Sequence, residues 1–223
     1  MKNVSIYRVV KLTEPLSIDS NWDKPQWQAI DELTLSYRMG EAPKFTPLVK
    51  VKLMYDCIFL YAVFRVNDKY VRCLNSEINA DVWDDSCVEF FFSPDSIAPQ
   101  KYFNLETNCG GAIVMRYNVI PKKDFIFLRS DDIRQIEIAH SLPKQILHEI
   151  EYPVTWTIEY KIPFTLLEKY ATITRPAPGV VWKANFYKIA DKTSNPHYLT
   201  WSFVDSIEPD FHMPAFFGSL IFD

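Results

Sequence analysis

Trp83 and Glu89 stand six residues apart in the stretch Ala80–Pro94, ADVWDDSCVEFFFSP. A loop carrying the tryptophan and two acids, Asp84 and Asp85, runs there into a dense segment of β-formers, Cys87–Phe92. Successive side chains of a strand face opposite ways, so Val88, Phe90 and Phe92 share one face and Cys87, Glu89 and Phe91 the other. Three apolar groups make the first face the buried one. If the strand extends back, Asp85 and Trp83 fall on the side of Glu89, which sets a flat aromatic ring beside a carboxylate. A pyranose presents apolar C–H faces and a rim of hydroxyls, so it is bound by flat aromatic area together with paired donors and acceptors. An ionised Glu89 accepts only, through two oxygens, which suits two adjacent hydroxyls. Asn104, on a neighbouring expected strand, carries the opposite polarity in its amide donors.

The elements that must hold these groups are short strands. Leu48–Tyr55, a turn at Asp56 and Cys57, and Ile58–Val66 read as an antiparallel hairpin. Lys101–Thr107 and Ala112–Tyr117, joined through Cys109-Gly110-Gly111, read as a second, with Phe103 and Leu105 alternating against Tyr102, Asn104 and Glu106. Further strands are expected at Ile6–Leu12, Gln135–His140, Ile146–Ile150, Thr155–Ile162, Val180–Ala190, Tyr198–Phe203 and Phe217–Phe222, with surface turns over residues 118–134. One helix is expected, Phe164–Tyr170, with Pro163 at its start. This pattern predicts an all-β fold, a two-sheet antiparallel β-sandwich of jelly-roll-like form with one short helix, in a single domain over residues 1–223. Trp22 and Trp27, in a turn-rich N-terminal stretch, are expected to plug the end of the core.

Composition narrows the function. With 223 residues, 48% of them hydrophobic, the chain can bury a sizeable core. Its five glycines form no GxGxxG, GxxxxGK or GxSxG motif. A net charge of −4 leaves no basic stripe for nucleic acid. No apolar run approaches a membrane span, and MKNVSIYRVVKLTEP lacks the continuous apolar segment of a signal peptide. Cysteines 57, 73, 87 and 109 lack CxxC spacing and nearby histidines, which argues for packed free thiols over zinc. A glycosidase reading needs carboxyls about 5–5.5 Å apart for retention or about 6.5–9.5 Å for inversion. On one strand Asp85 and Glu89 lie roughly 13 Å apart, so that reading needs an acid from elsewhere, such as Glu106.

Several segments in order, LMYDCIFLYAVFRVND, VWDDSCVEFFFSPD, YFNLETNCGG, WTIEYKIPFTLL, VWKANFYKIAD and FHMPAFFGSLIF, resemble the family 9 carbohydrate-binding modules and family-9-like proteins. The resemblance spans Ile18 to Phe222, and its most specific parts are W-x-x-x-x-V-E, from Trp83 to Glu89, and the closing F-H-x-P-x-x-F-G. It implies a β-sandwich without catalytic activity that binds oligo- or polysaccharide between two aromatic rings and serves polysaccharide breakdown. Trp83 matches the first ring and Glu89 the hydrogen-bonding acid. Counting back from Phe217-Gly218, Phe211 is the only aromatic candidate for the second, where the xylanase-borne modules carry tryptophan. Asn104 stands where those modules carry a longer basic side chain. The resemblance also implies an extracellular or periplasmic setting if an export signal has been removed, a separate glycan-degrading enzyme as partner, and structural calcium. For calcium the turn acids Asp19, Asp23, Asp56, Asp68, Asp84 and Asp85 are candidates, without EF-hand spacing. A partner-binding or structural sandwich without a sugar site is the alternative.

Overall fold

The structure is a computed structural model and describes residues 5–95 and 98–223. Met1–Val4, at the head of the stretch read against a signal peptide, and Ser96 and Ile97, in the loop after Pro94, lie outside the described residues. The chain begins with β1 (Ile6–Lys11), α1 (Pro25–Gln28), β2 (Leu33–Thr34), β3 (Tyr37–Met39), β4 (Leu48–Tyr55), β5 (Phe59–Asp68) and β6 (Val71–Cys73). A 3-10 turn, Val82–Asp84, leads into β7 (Cys87–Ser93), β8 (Tyr102–Asn108), β9 (Ile113–Ile120), β10 (Asp124–Phe127) and α2 (Ser130–Ile133). Next come β11 (Glu137–His140), β12 (Ile146–Ile150), β13 (Val154–Pro163) and α3 (Phe164–Glu168). After β14 (Val181–Ile189) and β15 (Tyr198–Thr200), a second 3-10 turn, Pro214–Phe216, precedes β16 (Gly218–Phe222).

The strands run in the order β10-β9-β8-β7-β14-β16-β1-β4-β5-β13-β11, with β6 and β12 forming a small separate pair. This large mixed sheet curls into a β-sandwich at β1. Ile6–Val9 pair in parallel with β16, whereas Val10 and Lys11 pair in parallel with β4. The expected all-antiparallel sandwich is corrected there, because a strand that crosses between layers takes its direction from chain path rather than from a hairpin turn. Residues 118–134 are also corrected: they hold the end of β9, the edge strand β10 and α2. The single expected helix is α3, accompanied by α1 and α2.

Between the layers lies one large apolar cluster, fed by Val49, Val51, Leu53, Phe64, Ile158 and Tyr160 on one side and by Val88, Phe90, Phe92, Leu105, Trp182 and Phe186 on the other. Phe90 stacks on Phe186 with centroids 4.7 Å apart. Gly218 packs so close to the Trp201 ring that an added Cβ would stand 2.6 Å from it, which gives the F-G pair a steric reason. Cys73, Cys87 and Cys109 are buried free thiols, whereas Cys57, in the β4–β5 turn, is exposed rather than packed.

The outer face of β4 and β5 is covered by the N-terminal segment, with Trp22 and Trp27 packed on Met54, Tyr61 and Val63. Glu159 on β13 fastens that segment. Its carboxylate accepts the backbone N–H of Asp19 (2.9 Å) and Ser20 (2.7 Å), the Trp27 indole N–H (2.8 Å) and the Lys24 ammonium (2.7 Å). Removing a buried charge that satisfies so many donors costs about 3–5 kcal/mol. Glu159→Ala is therefore expected to lower Tm by about 10 °C, at about 2–4 °C per kcal/mol, in thermal denaturation followed by circular dichroism. A drop of only a degree or two would show that the segment docks without this anchor.

Candidate functional site

The second face of β7, β8, β9 and β14 does not look into the core. It forms the floor of a cavity of about 420 Å³. Strand register sets the side chains of this face in rows, of which Glu89, Phe91, Glu106 and Arg116 line the cavity. Tyr187, Glu89, Glu106 and Val114 stand side by side across β14, β7, β8 and β9, and one step along follow Asn185, Phe91, Asn104 and Arg116. The walls carry Trp83 from the 3-10 turn, Tyr198 from the start of β15, and Asp191, Asp210, Phe211 and His212 from loops.

Trp83 is set by the 3-10 turn before β7, and two contacts from the end of β14 hold that turn. The Asp191 N–H donates to the Trp83 carbonyl at 3.1 Å, and Lys192 pairs with Asp84 at 2.7 Å. The half-buried indole leans over the cavity with the Arg116 guanidinium 5.4 Å from its centre. On the opposite wall Phe211 stacks on Tyr187, with centroids 4.1 Å apart and planes 14° from parallel. Tyr198 meets Phe211 edge-on and donates its hydroxyl to Asp191. His212 locks the loop, bonded through Nδ1 to the Tyr102 hydroxyl at 2.6 Å. Burial drops its pKa to about 4, so the ring is neutral at physiological pH.

The electrostatics centre on the two floor carboxyls. Burial, followed by the neighbouring Glu106, pushes Glu89 well above the usual carboxylate range, against the pull of Arg116. Burial lifts Glu106 to about 7, opposed by Arg116 and by the Asn104 amide, which donates to Glu106 Oε1 at 2.6 Å. No hydrogen bond from a described residue stabilises Glu89, which faces the cavity 3% exposed. The Arg116 Nε is likewise buried without a partner among the described residues.

Of the four residues expected from the sequence, Trp83, Glu89 and Phe211 come together on this cavity. Phe211 offers little face, at 7% exposed, because Tyr187 covers one side of its ring. Asn104 is fully buried behind the floor and reaches the cavity only through Glu106, while its oxygen accepts from Asn118 at 2.6 Å. Asp85 is turned away, because the strand begins at Cys87 instead of extending back. It accepts the backbone N–H groups of Leu74 (3.0 Å) and Asn75 (2.9 Å). Arg116 and Tyr198 escaped sequence reasoning. Arg116 was within reach, since the turn at residues 109–111 pairs Asn104 with Arg116 and puts both on one face. Tyr198 had no local signal.

The turn acids considered for calcium are met by protein donors. Asp19 pairs with Lys24 (2.8 Å), Asp68 with Lys188 (3.3 Å) and Asp84 with Lys192 (2.7 Å). Asp56 accepts the backbone N–H groups of Ile58 and Phe59, both at 2.7 Å, and Asp23 accepts from Gln28 at 3.3 Å. Among the described residues no group of three or more His, Cys, Asp or Glu side chains is arranged to hold a metal ion. No helix among them is long and apolar enough to cross a membrane.

Fold and site together define a β-sandwich with an acid-floored, aromatic-walled cavity on one sheet. Residues 16–222 match carbohydrate-binding family 9, and the chain belongs to that family. No curated protein matches the chain. Among solved structures it is similar to an inferred carbohydrate-binding protein from Bacteroides uniformis, at 26% identity and a TM-score of 0.87, covering 99% of this chain and 100% of that one. Its fold also matches a family 9 carbohydrate-binding module from Caldicellulosiruptor kristjanssonii in complex with cellotriose, at 14% identity and a TM-score of 0.63, covering 97% of this chain and 93% of that one. The glucose complex described from the same organism gives 15% identity and a TM-score of 0.61, with 97% and 96% covered.

Both floor carboxyls hold protons more tightly in the folded chain than in the unfolded one. Their contribution to stability is therefore fully present below the ordinary value of 4.5 and is lost as pH rises through the folded value, about 7 for Glu106. Glu106→Gln, which cannot ionise, is expected to raise Tm by about 2–4 °C at pH 8, roughly 1 kcal/mol, and to leave it unchanged at pH 4. Equal shifts at both pH values would mean that ionisation of Glu106 is not what costs stability.

Proposed function

We propose that the chain is a non-catalytic carbohydrate-binding module whose cavity receives a sugar residue. Glu89 carries this reading: a buried carboxyl, free of protein donors, aimed into a cavity with an indole at its edge. The apolar face of a pyranose packs on Trp83, and Phe211 and Tyr198 bound the other side. Glu89 and the free oxygen of Glu106 accept sugar hydroxyls, and the N–H groups of Arg116 donate to ring or hydroxyl oxygens. Asn104 acts as a positioning residue, fixing the Glu106 carboxyl from behind. Membership of family 9 and the likeness to modules described with cellotriose and glucose support a neutral saccharide as ligand. A role in polysaccharide breakdown beside a separate glycan-degrading enzyme belongs to the same proposal.

The non-catalytic reading rests on membership of family 9. Hydrolysis uses one carboxyl on each side of the glycosidic bond. The β7–β8 register sets Glu106 beside Glu89, the second acid a hydrolase would need, so release of reducing sugar is the outcome that separates an enzyme from a binding module.

Isothermal titration against glucose, cellotriose and a panel of other mono- and oligosaccharides tests the reading. Binding is expected at micromolar to millimolar strength, roughly −8 to −4 kcal/mol. Trp83→Ala is expected to abolish it, and Glu89→Ala to weaken it about five- to thirty-fold, as for the loss of one or two hydrogen bonds of a neutral carboxyl worth about 1 kcal/mol each. Release of reducing sugar would establish an enzyme instead. Silence of the folded protein across the panel would favour a sandwich that binds a protein partner.

A further inference from the structure

The floor of the cavity does not end at β9. Phe127 on β10 is in register with Arg116, and Phe125 with Asn118, so both phenylalanines stand on the cavity side of the sheet. They are 45% and 37% exposed, on an edge strand with no neighbour beyond it among the described residues. An exposed aromatic pair on a free sheet edge invites unwanted association, and proteins rarely leave one uncovered without a use. Their rings meet edge to face with centroids 5.7 Å apart.

Arg116 joins this pair to the cavity. Its guanidinium lies 4.7 Å from the centre of Phe127 and 5.4 Å from those of Phe125 and Trp83, so one planar cation bridges the indole at the cavity edge and both outer rings. A guanidinium stacked on rings keeps its N–H edge free for hydrogen bonds. Neighbouring strands lie about 4.8 Å apart, so Phe127 extends the row of Asn104 and Arg116 and stands two spacings, about 10 Å, from Asn104. The surface running outward from Trp83 is thus aromatic, with its two outer rings at 75° to each other and the Arg116 donors among them. That chemistry continues the cavity's own and matches a second and third sugar better than it matches an extended peptide, which would need the edge backbone rather than the ring faces.

We propose that Phe125 and Phe127, with Arg116 between them and Trp83, form an outer binding platform that stacks the sugar units following the one in the cavity, so that the protein selects oligosaccharide over monosaccharide. The inference rests on the cavity being the sugar site. Phe125→Ala/Phe127→Ala removes two half-exposed rings that pack on each other and on Arg116 at an edge strand, and its fold is checked by its thermal transition. Titration of the native protein is expected to show cellohexaose binding about ten-fold tighter than glucose, the gain that roughly one to two stacked rings supply. In the double variant the ratio of cellohexaose to glucose affinity is expected to fall to about one, whatever change the loosened Arg116 makes to glucose binding itself. Phe127→Trp, with a larger face, is expected to enlarge the gain. Native protein that binds both sugars equally, or a gain that survives in the double variant, overturns the platform while leaving the cavity reading intact. Native protein that binds neither overturns both.

Discussion

Two carboxyls on facing positions of adjacent strands, buried on one side of a sheet, are the constraint around which this molecule is arranged. Glu89 and Glu106 are paired by the β7–β8 register, and each raises the cost of ionising the other. A sheet face that carried only such groups would be unstable, because burying an uncompensated charge is expensive. The surroundings answer with Arg116 on the next strand, with the Asn118–Asn104–Glu106 hydrogen-bond chain behind the floor, and with aromatic walls that limit access of water. Glu89 is left facing the cavity without a hydrogen bond from a described residue.

The same logic recurs away from the cavity, with a different outcome. Glu159 is as buried as the floor acids, yet it is saturated by Lys24, Trp27 and two backbone N–H groups, so it acts as a fastener for the N-terminal segment. Lys188 is fully buried beside Asp68 and His197 and lies 5.9 Å from the Trp156 ring. Burial, with the neighbouring ammonium, drives the His197 pKa far down, so this imidazole stays neutral and can accept from Lys188. What separates these clusters from the floor acids is satisfaction. Their charged groups are paired, Asp68 Oδ2 through its ion pair with Lys188 although it lacks a hydrogen bond, whereas the Glu89 carboxyl faces the cavity without a donor from a described residue.

Much of this was legible in the sequence because period-two patterning leaves a local record. The alternation of Val88, Phe90 and Phe92 against Cys87, Glu89 and Phe91 assigned the two faces of β7, and the runs around residues 48–66 and 101–117 gave their hairpins. Patterning also misled where it was taken too far. Strand phase carried back through residues 83–85 placed Asp85 beside Trp83, whereas a 3-10 turn resets the direction of the side chains there. Asn104 was assigned to the correct face but not to the correct depth, since a face can hold both a lining side chain and one hidden behind it. Residues 118–134 looked like turns because their polar residues mask a four-residue edge strand.

The sequence by itself determined the strand faces, the aromatic and acidic chemistry available to a site, and the family to which these motifs belong, because each depends on neighbours within one or two strands. Only the tertiary structure decided that β1 crosses between layers in parallel, that Phe211 lies against Tyr187, that Tyr198 closes the far wall and that Arg116 stands over Trp83, Phe125 and Phe127. Those facts join segments up to more than two hundred residues apart, Ile6 beside Ser219, through sheet order and curl, and no local periodicity encodes either. The physical reason is that alternation fixes which way a side chain points, while packing of distant loops fixes what it meets there.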